Sequence, residues 1–170
     1  VYWPDTNVLV TRFLSPDGVG EVTDFMPIGV PVAGHGYHRL VRRVNVVRGV
    51  MPFRMECRPA FNYARDRHQM TVTTEGACFH APGLSLGLAT RVPLQQDGDG
   101  VIAEFTLQEG QTAVFVLQEI EPGEGCGVFL SEPGSMDLFK QTVEYWRRWL
   151  SKCGYTGRWR EMVHRSALAL

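Results

Sequence analysis

Lysine is nearly missing from this chain: Lys140 and Lys152 stand against fifteen arginines. The seventeen basic residues do not outnumber the eighteen acidic ones, and the net charge is −1. With no basic excess to neutralise phosphates, a nucleic-acid partner is excluded. No apolar run approaches the roughly 20 residues that span a bilayer, so a membrane span is excluded as well. Cysteine is sparse and scattered. Cys57, Cys78, Cys126 and Cys153 form no C-x-x-C pair, and a zinc site needs clustered ligand pairs. A chain this apolar needs no disulfide staples, so all four are read as separate reduced thiols packed as small hydrophobes. An initiator Met and a signal-peptide pattern are also missing, since the chain opens Val1-Tyr2-Trp3-Pro4. The expectation is a cytoplasmic protein, represented by a fragment whose two ends are cut.

What is present is a domain's worth of core. The chain has 170 residues, 44% hydrophobic and 11% aromatic. A chain of that size buries about 70% of its unfolded surface, and with net charge near zero it is not disordered. From residue 7 to residue 120 the apolar residues recur with a period of two. Val101, Ala103, Phe105 and Leu107 share one face of a strand; so do Met51, Phe53, Met55 and Cys57, and again Leu84, Leu86 and Leu88. Ala113–Leu117 is apolar on both faces, which predicts a central strand covered on both sides. The stretch His38–Val50 changes parity, which predicts a β-bulge near Arg42-Arg43. Turn signals at Pro16-Asp17-Gly18, Gly34-His35-Gly36, Arg48-Gly49, Pro82-Gly83 and Gln96–Gly100 separate about eight strands, the spacing of an antiparallel sandwich. The Gly- and Pro-rich stretch 28–37 reads as a surface loop.

After Pro122-Gly123-Glu124-Gly125 the period changes. Leu138, Phe139, Thr142, Val143, Trp146, Trp149 and Leu150 recur at three and four, predicting an amphipathic helix over about 135–151. Ser135 is the expected N-cap and Gly154 the expected stop. A second helix is expected from Gly157-Arg158, with Trp159, Met162, Val163, Ser166, Ala167 and Leu170 on one face. That face has no evident partner within the chain.

Catalytic patterns are weak. His35, His38, His68, His80 and His164 include no i, i+4 pair, although Glu161 and His164 are expected on one helix face. Asp97-Gly98-Asp99-Gly100 begins like a calcium loop, but Gln108 stands where the closing Glu belongs, so a hairpin turn is the reading. Gly83-Leu84-Ser85-Leu86-Gly87 matches G-x-S-x-G. It alternates as plain strand, however, whereas a nucleophile elbow needs a strand, a sharp turn and a helix. Gly18-Val19-Gly20 leads into a strand and not into a helix N-terminus that holds phosphate. Glycoside hydrolysis needs two carboxylates in different environments. Glu119, Glu121 and Glu124 cluster, but at a strand end and its exit loop. Of the tryptophans, Trp146, Trp149 and Trp159 lie on helical apolar stripes. They are expected to be covered, by the sheet or by another domain. No cofactor, metal or catalytic residue is assigned.

Several stretches, in order, carry a resemblance. They are Pro4–Phe13, Thr23–Pro27, Arg39–Val44 and Phe53–Arg65, then Tyr145–Leu150, Tyr155–Glu161 and His164–Leu168. Together they resemble the N-terminal domain of bacterial glycoside hydrolase family 15, the glucoamylase and trehalase-like group. Asn62 departs from an acidic residue, and Pro133-Gly134 interrupts an acidic helix start and is expected to shorten that helix. The resemblance implies a mainly β fold: an antiparallel β-sandwich of galactose-mutarotase-like type, incomplete here, followed by two helices. It implies a sandwich over 1–130, a linker helix over 131–156 and the start of an (α/α)6 barrel over 157–170. It further implies inverting hydrolysis of α-glucosides by two barrel glutamates that this chain does not contain. The implied partners are the C-terminal barrel of the same parent chain and, through it, trehalose or an α-glucan. Trp146, Trp149, Trp159, Met162 and Val163 are the expected domain-interface residues. An unpaired strand edge and exposed apolar surface near the last helix are expected with them. A carbohydrate-binding module and a mutarotase-like sugar enzyme are the alternatives. The resemblance does not choose among trehalase, glucoamylase and glucodextranase specificities.

Overall fold

The computed structural model describes residues 1–28, 38–121 and 123–169. The expected turn around His35, together with Pro122 and Leu170, lies outside the described residues. Nine strands come first: β1 (Leu9–Ser15), β2 (Gly18–Phe25), β3 (Arg39–Cys57), β4 (Gln69–Thr73), β5 (Gly76–Ala81), β6 (Leu84–Thr90), β7 (Gln95–Asp97), β8 (Gly100–Gln108) and β9 (Thr112–Glu119). Two helices follow, α1 (Glu132–Leu150) and α2 (Arg160–Ala169). The chain is thus mainly antiparallel β with two C-terminal helices.

β3 organises the sheets. Its first half lies between β2 and β9 in a large sheet of order β1-β2-β3-β9-β6-β5-β4. Its second half, Val50–Cys57, leaves that sheet and pairs with β8, which carries β7. The bend needs a parity change, and the expected bulge exists, but at Val47 and not at Arg42-Arg43. Val19 pairs with Arg48 and Gly20 with Val46, so Val47 has no opposite residue. Arg39–Asn45 are held in unbroken register by β9, which leaves no slack before Val46. Gly49 then turns the chain with φ +75, where a side chain would strike the Asp17 carbonyl at 2.0 Å.

The parity change lets both halves of β3 feed one core. Val44 from the first half and Met55 from the second pack with Phe79, Leu88, Val101, Ala103 and Phe115 between the sheets. A second core lies on the other face of the large sheet. There Val8, Phe25, Val41, Ala89, Val114 and Val116 meet Val143, Leu138 and Phe139 of α1. β9 contributes to both cores, as its two-sided apolar run predicts.

α1 starts earlier than its apolar stripe. Ser131, not Ser135, is the N-cap, and its hydroxyl accepts from the Gly134 N–H at 3.2 Å. Pro133-Gly134 does not shorten the helix, because the first turn is where proline is tolerated: its N–H would have no intrahelical acceptor. Ser135 is instead fully buried. At the other end the helix stops at Leu150, capped by Ser151, and Gly154 lies beyond it. The Lys152 and Cys153 N–H groups reach back to the Trp149 and Leu150 carbonyls, so the end is closed without a left-handed glycine. α2 begins at Arg160, later than Gly157-Arg158; the Gly157 carbonyl accepts from the Arg160 N–H at 3.1 Å.

Candidate functional site

α2 has two faces with opposite fates. On one, Arg165 donates to the Thr6 carbonyl at 2.8 Å and to Asn7 Oδ1 at 2.5 Å, while Asn7 Nδ2 donates to the Leu168 carbonyl at 2.7 Å. The Arg165 guanidinium also lies 3.8 Å from the centre of the Tyr2 ring, a cation–π contact. His164 is buried there, its Nδ1 3.4 Å from Asp5 Oδ1. Glu161, one turn before His164 on the same helix, is exposed. These contacts anchor the helix to the segment Asp5–Asn7, more than 150 residues away in sequence.

The other face is apolar and open. Trp159 is 53% exposed and Met162 64%, and with Val163, Ser166 and Ala167 they line a shallow depression. α1 continues the theme. Trp146 is half-buried and packs edge-on against Tyr145 and Trp149, and Trp149 is exposed. Of the two expected covers, the sheet and another domain, the sheet does not supply one for Trp149 and Trp159. α1 turns Leu138, Phe139 and Val143 to the sheet and leaves Trp149 outside. Trp3 packs edge-on against Phe139 but remains partly exposed.

An open groove of about 380 Å³ runs beside the second half of β3. Phe13, Val22, Val44, Phe53 and Phe105 line it, together with the bidentate pair of Arg42 and Asp24 at 2.7 and 2.9 Å. Phe53 and Phe105 stack with centroids 5.6 Å apart. Val50–Cys57 pairs with β8 on one side and has no strand on the other among the described residues. Pro52 sits at that edge, where a missing N–H removes no ladder bond.

The histidines and carboxylates do not converge in this groove. His68 packs against Phe61 and Phe79, and its Nε2 meets the Asp99 carbonyl at 2.7 Å. His80 Nδ1 is 2.9 Å from Ser85 Oγ, its direct cross-strand neighbour. That contact joins the serine of the G-x-S-x-G match to an imidazole, but Ser85 lies in regular β6 with no elbow. Asp97 and Asp99 flank the tight β7–β8 turn, where both form ion pairs with Arg58. Among the described residues, no group of three or more His, Cys, Asp or Glu side chains is placed to hold a metal. No helix of the described residues is long and apolar enough to cross a membrane.

Two features had no counterpart in the sequence patterns, and one expectation, that the four thiols are separate, is corrected. Arg39 and Arg43 are buried on the α1 face of the large sheet, and burial lowers the pKa of both. Arg43 finds Ser135, whereas Arg39 Nε has no hydrogen-bond partner among the described residues. Asn62, Tyr63 and Ala64 form a left-handed turn with φ of 46, 57 and 64°, which presents Tyr63 at 91% exposure. Finally, Cys78 and Cys126 are free thiols but not separate ones, because their sulfurs touch. Only a cysteine pair that recurs at a familiar spacing would have announced that contact.

No protein-family model matches the chain. Two curated relatives do. The chain is 29% identical to a trehalase of Thermoplasma acidophilum, over 97% of its own length and 28% of the relative's. It is 28% identical to a trehalase of Thermoplasma volcanium, over 97% of its length and 26% of the relative's. The chain thus spans about a quarter of the relatives it matches. Both are archaeal, so the likeness is not confined to the bacterial branch. Over nearly its whole length, this mainly β chain resembles the trehalase-like group of glycoside hydrolases.

Proposed function

We propose that this chain is the non-catalytic sandwich region of an inverting α-glucoside hydrolase of trehalase or glucoamylase type. In this reading residues 1–130 are the sandwich, 131–156 the linker and 157–170 the start of a catalytic (α/α)6 barrel. The observation that carries it is the two-faced helix α2. One face is fastened to Asp5–Asn7, and the other holds Trp159 and Met162 in water. An anchored helix with an apolar outer face needs a covering partner. The proposed cover is the barrel of the same parent chain, with trehalose or an α-glucan bound there. The names and greater length of the two relatives support that choice. A cytoplasmic setting, testable by cell fractionation, belongs to the same reading.

The test is glucose release from trehalose, maltose and starch. The isolated chain is expected to release none, and the continuous parent protein to release glucose from at least one. Turnover by the isolated chain would overturn the assignment. Substitution of Trp159 and Met162 by polar residues in the parent should lower its thermal midpoint more than it does in the isolated chain.

A carbohydrate-binding module is the second reading, favoured by the Phe-lined groove at Arg42 and Asp24. Calorimetric titration with maltooligosaccharides decides it: heat lost on Phe53→Ala supports a sugar site, and no heat removes that reading.

A further inference from the structure

We propose that Cys78 and Cys126 are a redox-active pair, and that their disulfide fastens the crossover between β9 and α1 to the large sheet. Cys78 lies in β5 and Cys126 in the crossover, 48 positions on, with the two sulfurs 2.6 Å apart. Both are buried, at 7 and 2% exposure, and they form a small cluster with Ile120. The backbone is shaped for this approach. Gly87 of β6 has no side chain, and a Cβ there would meet the Cys126 carbonyl at 2.4 Å and Ile120 Cγ2 at 2.9 Å. A glycine at that position is what lets the crossover lie directly on the sheet.

The end of the crossover is held by Phe129, whose ring lies 4.4 Å from the Arg91 guanidinium, and by Leu130 on the second core; its start and middle are held by few groups. Ile120 donates its N–H to the Ser85 carbonyl at 3.0 Å. From there to the N-cap at Ser131, the hydrogen bonds of the described residues are local, such as Glu124 N–H to the Glu121 carbonyl. The exception is the Thr73 hydroxyl, 3.5 Å from the Cys126 sulfur. The thiol pair thus sits at the middle attachment of the crossover, between Ile120 at its start and Phe129-Leu130 at its end. With no third ligand placed nearby among the described residues, the pair suits a covalent bond better than a metal.

The chemistry is thiol–disulfide exchange with a low-molecular-weight disulfide as oxidant. The Cys126 thiolate attacks one sulfur of the oxidant, forms a mixed disulfide and expels a small thiolate. The Cys78 thiolate then attacks the Cys126 sulfur and expels the second. Two protein thiols are oxidised, one small disulfide is reduced to two small thiols, and the two protons pass to these leaving groups. Burial, and then contact with Cys126, pushes the Cys78 thiol up to about 12. The docked Cys78 thiol is therefore protonated and slow, and both sulfurs are buried, so oxidation proceeds through the lifted crossover. The crossover leads straight into Ser131 and α1, so the bond would fix where that helix starts on the sheet.

The experiment incubates the native chain with oxidised glutathione, alkylates the remaining thiols, and maps peptides by mass spectrometry without reduction. The expected product is one peptide linking Cys78 to Cys126, with Cys57 and Cys153 alkylated. The thermal midpoint should rise by on the order of 5–10 °C. Dilute urea should accelerate the reaction. Cys126→Ser and Cys78→Ala should each abolish both the link and the shift, while Cys57→Ser keeps them. Glutathione adducts on Cys57 or Cys153 with no 78–126 link would overturn the proposal. So would a link that leaves the thermal midpoint unchanged.

Discussion

Arg43 donates from Nε to Ser135 Oγ at 2.9 Å, and both side chains are buried between the large sheet and α1. The serine completes the arrangement by donating to the Glu132 carbonyl at 2.7 Å. A sheet cation is thereby satisfied by the first turn of the helix that covers it. Ser135→Ala leaves the Arg43 Nε without that acceptor. It should cost about 1–3 kcal/mol, the penalty of an unmet buried donor, read from urea midpoints. Ser131→Ala removes only the N-cap and should cost about 1 kcal/mol.

Asn62-Tyr63-Ala64 spends three residues in the left-handed region. That conformation costs an L-residue roughly 1–2 kcal/mol, and glycine avoids it. Ala64→Gly should therefore stabilise the chain by about 0.5–1 kcal/mol after glycine's added backbone entropy. Thermal denaturation reads the sign, and a destabilised variant would contradict the left-handed turn.

Gly87→Ala should lift the crossover, because its new methyl meets the Cys126 carbonyl at 2.4 Å. The expected cost is about 1–3 kcal/mol. Cys126 should also become reactive towards a chromogenic disulfide. Gly125→Ala, with nothing within 4 Å, is the control and should change stability by less than about 0.5 kcal/mol.

Core and outer helix face should respond differently in the isolated chain. Phe79 is fully buried between the sheets, so Phe79→Ala should cost about 3–5 kcal/mol. Met162 is mostly in water, so Met162→Gln should stay within about 0.5 kcal/mol. A large loss at Met162 in the isolated chain would mean that the apolar face is already covered.

Stability of the reduced chain should fall in alkali. The Cys78 thiol ionises near about 8.5 when unfolded and is pushed up to about 12 when folded. Between those values the folded state holds a proton that the unfolded state has released. The stabilisation is complete below about 8.5 and is lost as pH rises towards 12. Cys57, raised by burial against the opposing pull of Arg42, acts in the same direction. The groups facing Cys78 are Cys126 from the crossover, with Thr73 beside it, and His80 on the same side of β5. Urea midpoints of Cys78→Ala, taken under reductant from about pH 7.5 to about pH 10, should fall less steeply than those of the parent sequence.

Much of the architecture is written in local periodicity. Alternation in Met51–Cys57 and Val101–Leu107 places those residues on the inter-sheet core, and the doubly apolar Ala113–Leu117 is the central strand. These succeed because a strand's faces follow from its period alone. The ordered stretches from Pro4 to Leu168 likewise carried the trehalase-type resemblance that the two curated relatives share.

Other features depend on what lies opposite. The bulge moved from Arg42-Arg43 to Val47 because β9 holds Arg39–Asn45 in register, and that pairing is long-range. Ser135 looks like a cap in sequence and is a buried acceptor in the fold, since only packing brings Arg43 to it. Cys78 and Cys126 read as two unrelated small hydrophobes. Their contact exists only because Gly87, on a third segment, leaves room for the crossover. Sequence by itself determined the strands, their faces and the family likeness, because local sterics and hydrophobic pattern act over a few residues. Tertiary structure alone decided that Cys78 meets Cys126, Arg43 meets Ser135 and Asn7 meets Leu168, because those partners lie 48 to 161 residues apart.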